Sequence, residues 1–293
     1  MTAARRALVT GLGGFTGPYV AAELERAGYE VCGLDVAPGM RADLRDPRAV
    51  AEAVARAAPD AVVHLAGIAF APHDDVDAVY GVNLLGARHL LQALDRCAHR
   101  PAAVILASSA YVYGNAGAGP LGEAEPPAPT GDYAVAKLAM EHMARLWMDR
   151  LPIMLARPFN YTGVGQSPSF LPPKIVASFR ARARSIRLGN LEVWRDFSDV
   201  RDVARAYAAL LSRGAPGEVY NICSGRACSV AGLLELMAGI AGYRIEVEHG
   251  AELARASEIH RLVGSPAALE RRIGPRSPIP LADTLRWMYE SAA

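Results

Sequence analysis

Tyr133 and Lys137 stand four residues apart, a spacing that puts a phenol and an ammonium one above the other on a single face of a helix. Lysine is rare in this chain. Of 31 lysines and arginines only Lys137 and Lys174 are lysines, so a place that keeps one asks for a compact point charge and not a planar fork. A free tyrosine, with a pKa of about 10, is a poor acid–base group at neutral pH. An ammonium beside it, together with the positive charge of a bound cofactor ring, stabilises the phenolate and is expected to bring it toward the working range. The pair therefore points to proton transfer to or from an oxygen. Upstream, Ser108 and Ser109 close the apolar run Ala103–Ala107.

A second constellation lies near the N-terminus, in Thr10-Gly11-Leu12-Gly13-Gly14-Phe15-Thr16-Gly17. The common dinucleotide fingerprint has glycines at its first, third and sixth positions, and here the sixth is Thr16. The register Gly11, Gly14, Gly17 fits instead. Small residues let the backbone approach a pyrophosphate, which rests against the positive end of a helix dipole. Asp35 ends the next apolar run, where a carboxylate would accept hydrogen bonds from the adenosine ribose hydroxyls. The same charge would repel a 2′-phosphate, so NAD(H) is favoured and NADP(H) remains possible, with Arg41 nearby in sequence.

These residues must be carried by something. Apolar runs at 7–10, 30–35, 61–66 and 103–107 read as strands, and the stretches after the glycines to Ala27, 47–58 and 76–98 carry helical periodicity. Alternation at this spacing predicts a Rossmann-type, doubly wound parallel sheet. After Pro158 the pattern loosens, which predicts a smaller C-terminal α/β region for substrate. The expected division is a dinucleotide-binding domain over 1–160 and a mainly substrate-binding domain over 161–293, with part of 196–225 free to return to the first.

With 52% apolar and 21% charged residues and a net charge of +1, the composition is that of an ordinary soluble protein, with no basic excess for nucleic acid. No apolar stretch approaches the roughly 20 residues that span a bilayer. The first residues run straight into a strand, so no signal peptide and a cytoplasmic location are expected. Cys32, Cys97, Cys223 and Cys228 read as small hydrophobes in a reducing compartment. Cys223 and Cys228 lack a second ligand pair, so no metal is expected.

Taken together, the glycine loop, His64-Leu65-Ala66-Gly67, Asn83, Ser108-Ser109-Ala110-Tyr111-Val112-Tyr113-Gly114, Tyr133 with Lys137, and Arg157-Pro158-Phe159-Asn160 resemble the extended short-chain dehydrogenases that act on nucleotide sugars. The resemblance implies that Tyr133 exchanges a proton with a sugar oxygen while hydride moves between sugar carbon and nicotinamide. It also implies that Ser109 orients that oxygen and that Lys137 reaches the nicotinamide ribose. Cofactor contacts implied by it are Gly11, Gly13, Gly14, Phe15, Thr16 and Gly17, then Asp35, Asp43 and Leu44. Leu65, Ala66, Gly67, Asn83, Ala107 and Pro158 would complete them, beside Tyr133 and Lys137. A homodimer would form through a four-helix bundle of residues 76–98 and 132–148.

Within that family, dehydratases carry acidic residues just after the catalytic serine or threonine, where this chain has Ala110 and Tyr111. The fucose-synthase branch uses a cysteine directly after the serine and a downstream histidine, where Ala110 and Gly165-Gln166 stand. Carbonyl reduction or 4-epimerisation is left. The stretches 157–170 and 188–202, with Val219–Gly225 and Arg255–Glu258, are similar to the GDP-4-keto-6-deoxy-D-mannose (GDP-6-deoxy-D-lyxo-4-hexulose) reductases. This implies NAD(P)H-dependent reduction of a GDP-linked 4-keto-6-deoxy sugar. Expected substrate contacts are Ser109, Asn160, Lys174, Asn190, Arg195, Arg255 and Glu258, the arginines gripping the diphosphate as bidentate forks. The alternatives are a 4-epimerase with tightly held NAD, or a non-catalytic NAD(P)-sensing regulator on the same fold.

Overall fold

Each early apolar run becomes a strand feeding a helix. In the computed structural model, which describes residues 4–35, 40–69, 75–117, 119–250 and 259–291, β1 (Arg5–Thr10) leads through the glycine loop into α1 (Gly17–Arg26). There follow β2 (Tyr29–Asp35), the short β3 (Met40–Arg41), α2 (Pro47–Ala57) and β4 (Ala61–His64). Next come α3 (Val76–Tyr80), a π-helical turn over Gly81–Gly86, α4 (Ala87–Arg96) and β5 (Ala103–Ala107). A 3₁₀ turn at Ala110–Tyr113, α5 (Asp132–Arg145) and β6 (Ile153–Pro158) complete this half. Arg255, Glu258 and the side chain of Arg41 lie outside the described residues.

The later elements are β7 (Asn160–Thr162), α6 (Leu171–Arg180), β8 (Ser185–Leu188), β9 (Trp194–Asp199), α7 (Val200–Arg213) and β10 (Val219–Ile222). They continue as β11 (Ala227–Ser229), α8 (Val230–Ala241), β12 (Glu246–His249), β13 (Arg261–Leu262), α9 (Ala267–Ile273) and α10 (Leu281–Glu290). Seven strands form one sheet in the order β10-β6-β5-β4-β1-β2-β3, with every pair parallel. Along β1 and β4 the side chains alternate between two cores. Leu8 and Val62 pack with Val54, Leu91 and Met140 on one face, whereas Val9 and Val63 pack with Leu24, Val203 and Leu210 on the other. Burial on both faces is why these strands read as unbroken apolar runs. The order reverses between β1 and β4, and a crevice opens outside their carboxyl ends, where such folds bind ligands.

The C-terminal part is smaller. There β9 pairs antiparallel with β11 and parallel with β13 and β7, and β8 pairs parallel with β12. Ile175, Phe179, Leu233, Met237 and Leu285 form its core. The chain returns to the large sheet through α7 and β10, and again through α9, whose Leu269 and Ile273 join the core of Tyr207 and Tyr220. Among the described residues, no helix is long and apolar enough to cross a membrane.

Two boundaries differ from expectation for local reasons. The helix expected over 76–98 is broken by the π turn and ends at Arg96. At Gly86 a β-carbon would sit 2.7 Å from Leu44 Cβ, so the glycine allows the close approach at which the helix reorganises. The strand expected to reach Ala66 ends at His64, because the Ala66 amide donates to the Thr10 hydroxyl (3.2 Å) and not to a neighbouring strand.

Candidate active site

The crevice is built by the loops that leave β1 and β4. Gly11 has φ +73°, and a β-carbon there would lie 2.8 Å from the Ala66 amide nitrogen. Only glycine fits both demands. Gly14 donates to the Gly11 carbonyl (3.0 Å), and a β-carbon on Gly17 would strike the Leu12 carbonyl oxygen. Thr16, at the N-terminus of α1, makes no capping bond; its hydroxyl pairs with the Tyr161 hydroxyl at 2.8 Å. The first-turn amides are thereby left for an anion. The Phe15 ring stacks on Tyr161, 6.0 Å between centroids. Asp35 Oδ2 accepts from the Gly13 amide (2.7 Å), which holds the carboxylate at the rim of the loop. Asp43 is engaged by the Arg45 guanidinium and kept low by that bond, while Leu44 is buried in the sheet core. A narrow glycine cradle, uncapped helix amides and a carboxylate after the second strand fit a dinucleotide.

The chemistry-bearing residues meet on the other side of the crevice. Ser109 begins the 3₁₀ turn after β5, and its side chain hydrogen-bonds Tyr133 in the first turn of α5. The Lys137 Nζ lies 6.0 Å from the centre of the Tyr133 ring and donates to the Ala107 carbonyl (2.8 Å). A β-carbon on Gly67 would come within 3.1 Å of that Nζ and 2.6 Å of Asn83 Oδ1. Asn83 projects from the π turn to hold Ile68 through both its amide and its carbonyl, each at 3.0 Å. Burial acts on the pair in opposite senses. It pushes the Tyr133 phenol well above its ordinary value and pulls Lys137 down to about 8. Of the three Lys137 Nζ donors, one is used by the Ala107 carbonyl.

Tyr111 stands edge-on to Tyr133, with centroids 6.5 Å apart, and accepts a long hydrogen bond of 3.5 Å from Asn160 Nδ2. Asn160 Oδ1 is buried and has no hydrogen-bond partner among the described residues. Pro158 ends β6 beside it. The remaining expected substrate contacts lie in the C-terminal part. Lys174 Nζ donates to the Arg187 carbonyl of β8 (2.8 Å), Asn190 Oδ1 accepts from the Glu192 amide (2.9 Å), and Arg195 Nη1 donates to the Trp194 carbonyl (2.9 Å).

Comparison with known proteins decides the lineage of this arrangement. Residues 7–223 match the NAD dependent epimerase/dehydratase family. The chain belongs to that family. It is 36% identical to a GDP-6-deoxy-D-mannose reductase of Pseudomonas aeruginosa, across 96% of this chain and 95% of the relative. It is 33% identical to a GDP-6-deoxy-D-talose 4-dehydrogenase of Aggregatibacter actinomycetemcomitans, across 91% and 90%. The structure of RMD from Pseudomonas aeruginosa complexed with NADPH superposes with a TM-score of 0.87 at 36% identity, covering 98% and 96%. A Burkholderia cenocepacia crystal structure, described as that of an epimerase candidate, does so with 0.92 at 50% identity, covering 98% and 97%.

Sequence reasoning missed what lies behind the family's serine, tyrosine and lysine. Arg157 was visible only as part of a family stretch, and Glu141 not at all. In the structure Arg157 Nε and Nη2 donate to the two Glu141 oxygens at 2.8 and 2.6 Å, fully buried. The Ser108 hydroxyl donates to the same carboxylate, and Arg157 also donates to the Tyr113 hydroxyl (2.9 Å), which donates to Asn221 (2.8 Å). The one available signal was an acid one turn beyond Lys137. Nothing in the sequence assigns His64 a role. It is buried, its Nδ1 is 2.7 Å from the Thr10 hydroxyl, and burial first and Lys137 second lower it to about 3, so the ring is neutral.

Proposed function

We propose that the protein reduces the 4-keto group of a GDP-linked 4-keto-6-deoxy sugar with a nicotinamide cofactor, a step in making a deoxysugar. The observation that carries this reading is the pairing of a protonated Tyr133 with Ser109 in a pocket whose next residues, Ala110 and Tyr111, hold no carboxylate. Elimination of water from the sugar needs such an acid–base group; ketone reduction needs only a proton donor at the oxygen. The P. aeruginosa and A. actinomycetemcomitans relatives, named for GDP-6-deoxysugar oxidoreduction, support the substrate class.

The cofactor would lie along Gly11–Gly17, Asp35, Asp43–Leu44, Leu65–Gly67, Asn83 and Ala107, reaching Pro158. When bound, its nicotinamide supplies the hydride to carbon 4. Ser109 would orient the carbonyl oxygen, and Tyr133 would give its proton to the alkoxide that forms. The phenolate left behind would face the Lys137 ammonium and recover a proton from solvent. Asn160, through its unpartnered Oδ1, would accept a hydrogen bond from the substrate. Lys174, Asn190, Arg195, Arg255 and Glu258 would provide the remaining grip. Asp35 favours NADH, whereas the solved P. aeruginosa relative carries NADPH; titration with each distinguishes them. Residues 1–160 would form the cofactor domain and 161–293 mainly the substrate domain, in a cytoplasmic homodimer.

The test is incubation with GDP-4-keto-6-deoxymannose and NADH. Stoichiometric NADH consumption, with a new carbon-4 alcohol seen by NMR, is expected. An enzyme that interconverts sugars without added reductant and copurifies with NAD would instead be a 4-epimerase.

A further inference from the structure

Lys137 is only 4% exposed and Glu141 1%, one helical turn apart on the face of α5 that meets the sheet. A buried ammonium is costly unless something keeps it charged. The groups around Lys137 can be enumerated by element. Tyr133 and Glu141 share its helix; neutral His64 faces it from β4, the Ala107 carbonyl from β5, and Asn83 from the π turn across Gly67. Arg157 approaches from β6, behind Glu141. Among these described groups, Glu141 is the anion.

Its carboxylate is fully engaged. Arg157 forks both oxygens, at 2.8 and 2.6 Å, and Ser108, the neighbour of Ser109, donates a further bond. Bonds of this charge-assisted, bidentate kind are strong and fix the carboxylate in place. We propose that Glu141, fixed by its buried ion pair with Arg157, is the positioning residue that keeps the Lys137 ammonium charged within the buried wall of the site. The catalytic consequence rests on the reaction proposed above; the electrostatic claim does not. Burial draws Lys137 down to about 8, and Glu141 is the group that opposes it. Without Glu141, the ammonium that faces the Tyr133 phenolate would be lost at lower pH.

The chain's two lysines make this measurable. Lysine labelled at Cε gives two NMR signals, assigned with Lys174→Arg and followed against pH. In Glu141→Gln the Lys137 titration should fall by about one pH unit or more, as expected on removing an opposite charge nearby. The alkaline edge of kcat should move to lower pH with it, and Glu141→Asp should restore much of both. If Glu141→Gln does not fold, the double variant Glu141→Gln/Arg157→Gln removes the pair without stranding a charge and should show a smaller fall, because the more distant like charge of Arg157 is removed with it. An unmoved Lys137 titration in either folded variant overturns the inference. A moved titration with an unmoved kcat profile keeps Glu141's hold on Lys137 and instead removes Lys137 from the proposed proton transfer.

Discussion

Burial perturbs Tyr133 and Lys137 in opposite directions, and both shifts favour the uncharged form. A site at rest therefore carries its acid already protonated, as a ketone reductase requires. Tyr133→Phe should leave NADH binding nearly intact, because the phenol's role is at the sugar oxygen. Turnover should fall by about 10²–10⁴, the usual loss of a general acid; steady-state kinetics with a fluorescence titration of NADH check both halves, and turnover within about threefold of the parent would remove Tyr133 from the reaction. At this scale the sequence was legible where chemistry is local. Tyr133 and Lys137 are joined by helical spacing, and the glycines of residues 11–17 by contiguity. Glu141 and Arg157 were not legible as a pair, because they stand 16 residues apart and only the packing of α5 on β6 brings them together. Spacing gives the shared helix face but not that Lys137 Nζ bends to the Ala107 carbonyl.

Among the elements, the parallel strands and their covering helices were legible because buried strands leave unbroken apolar runs and helices leave a 3.6-residue period. The π turn at Gly81–Gly86 left no such trace. Its cause is tertiary: the backbone at Gly86 lies against Leu44, and the widened turn carries Asn83 inward to clamp Ile68. Single π turns of this kind are frequent at functional sites. Gly86→Ala should therefore act as an overpacking change, since its β-carbon would meet Leu44 Cβ at 2.7 Å. A loss of about 1–3 kcal/mol in urea unfolding is expected. NADH affinity should fall as well, because the residues displaced are the ones proposed to seat it. A variant as stable as the parent would mean that α4 shifts freely past Leu44.

For the molecule as a whole, the same helices that frame the site also leave apolar side chains in water. Leu85 of the π turn is 48% exposed and Val135 of α5 38%, and Val76 of α3 is similarly open. Single exposed hydrophobes are unremarkable, but these three sit on neighbouring elements, α5 packing against both α3 and the π turn. The geometry suits the proposed homodimer, in which a two-fold axis would set this surface against its own copy. Leu85→Glu/Val135→Glu would place two like charges from each chain at that seam, where they repel across the two-fold axis. Light scattering should then give the mass of one chain where the parent gives two, with a lower melting temperature. Because Val135 lies between Tyr133 and Lys137 on α5, separation should also loosen the helix that holds both, and kcat should fall more than the affinity for NADH. If the charged variant keeps the parent's mass, the dimer contact lies elsewhere on the molecule.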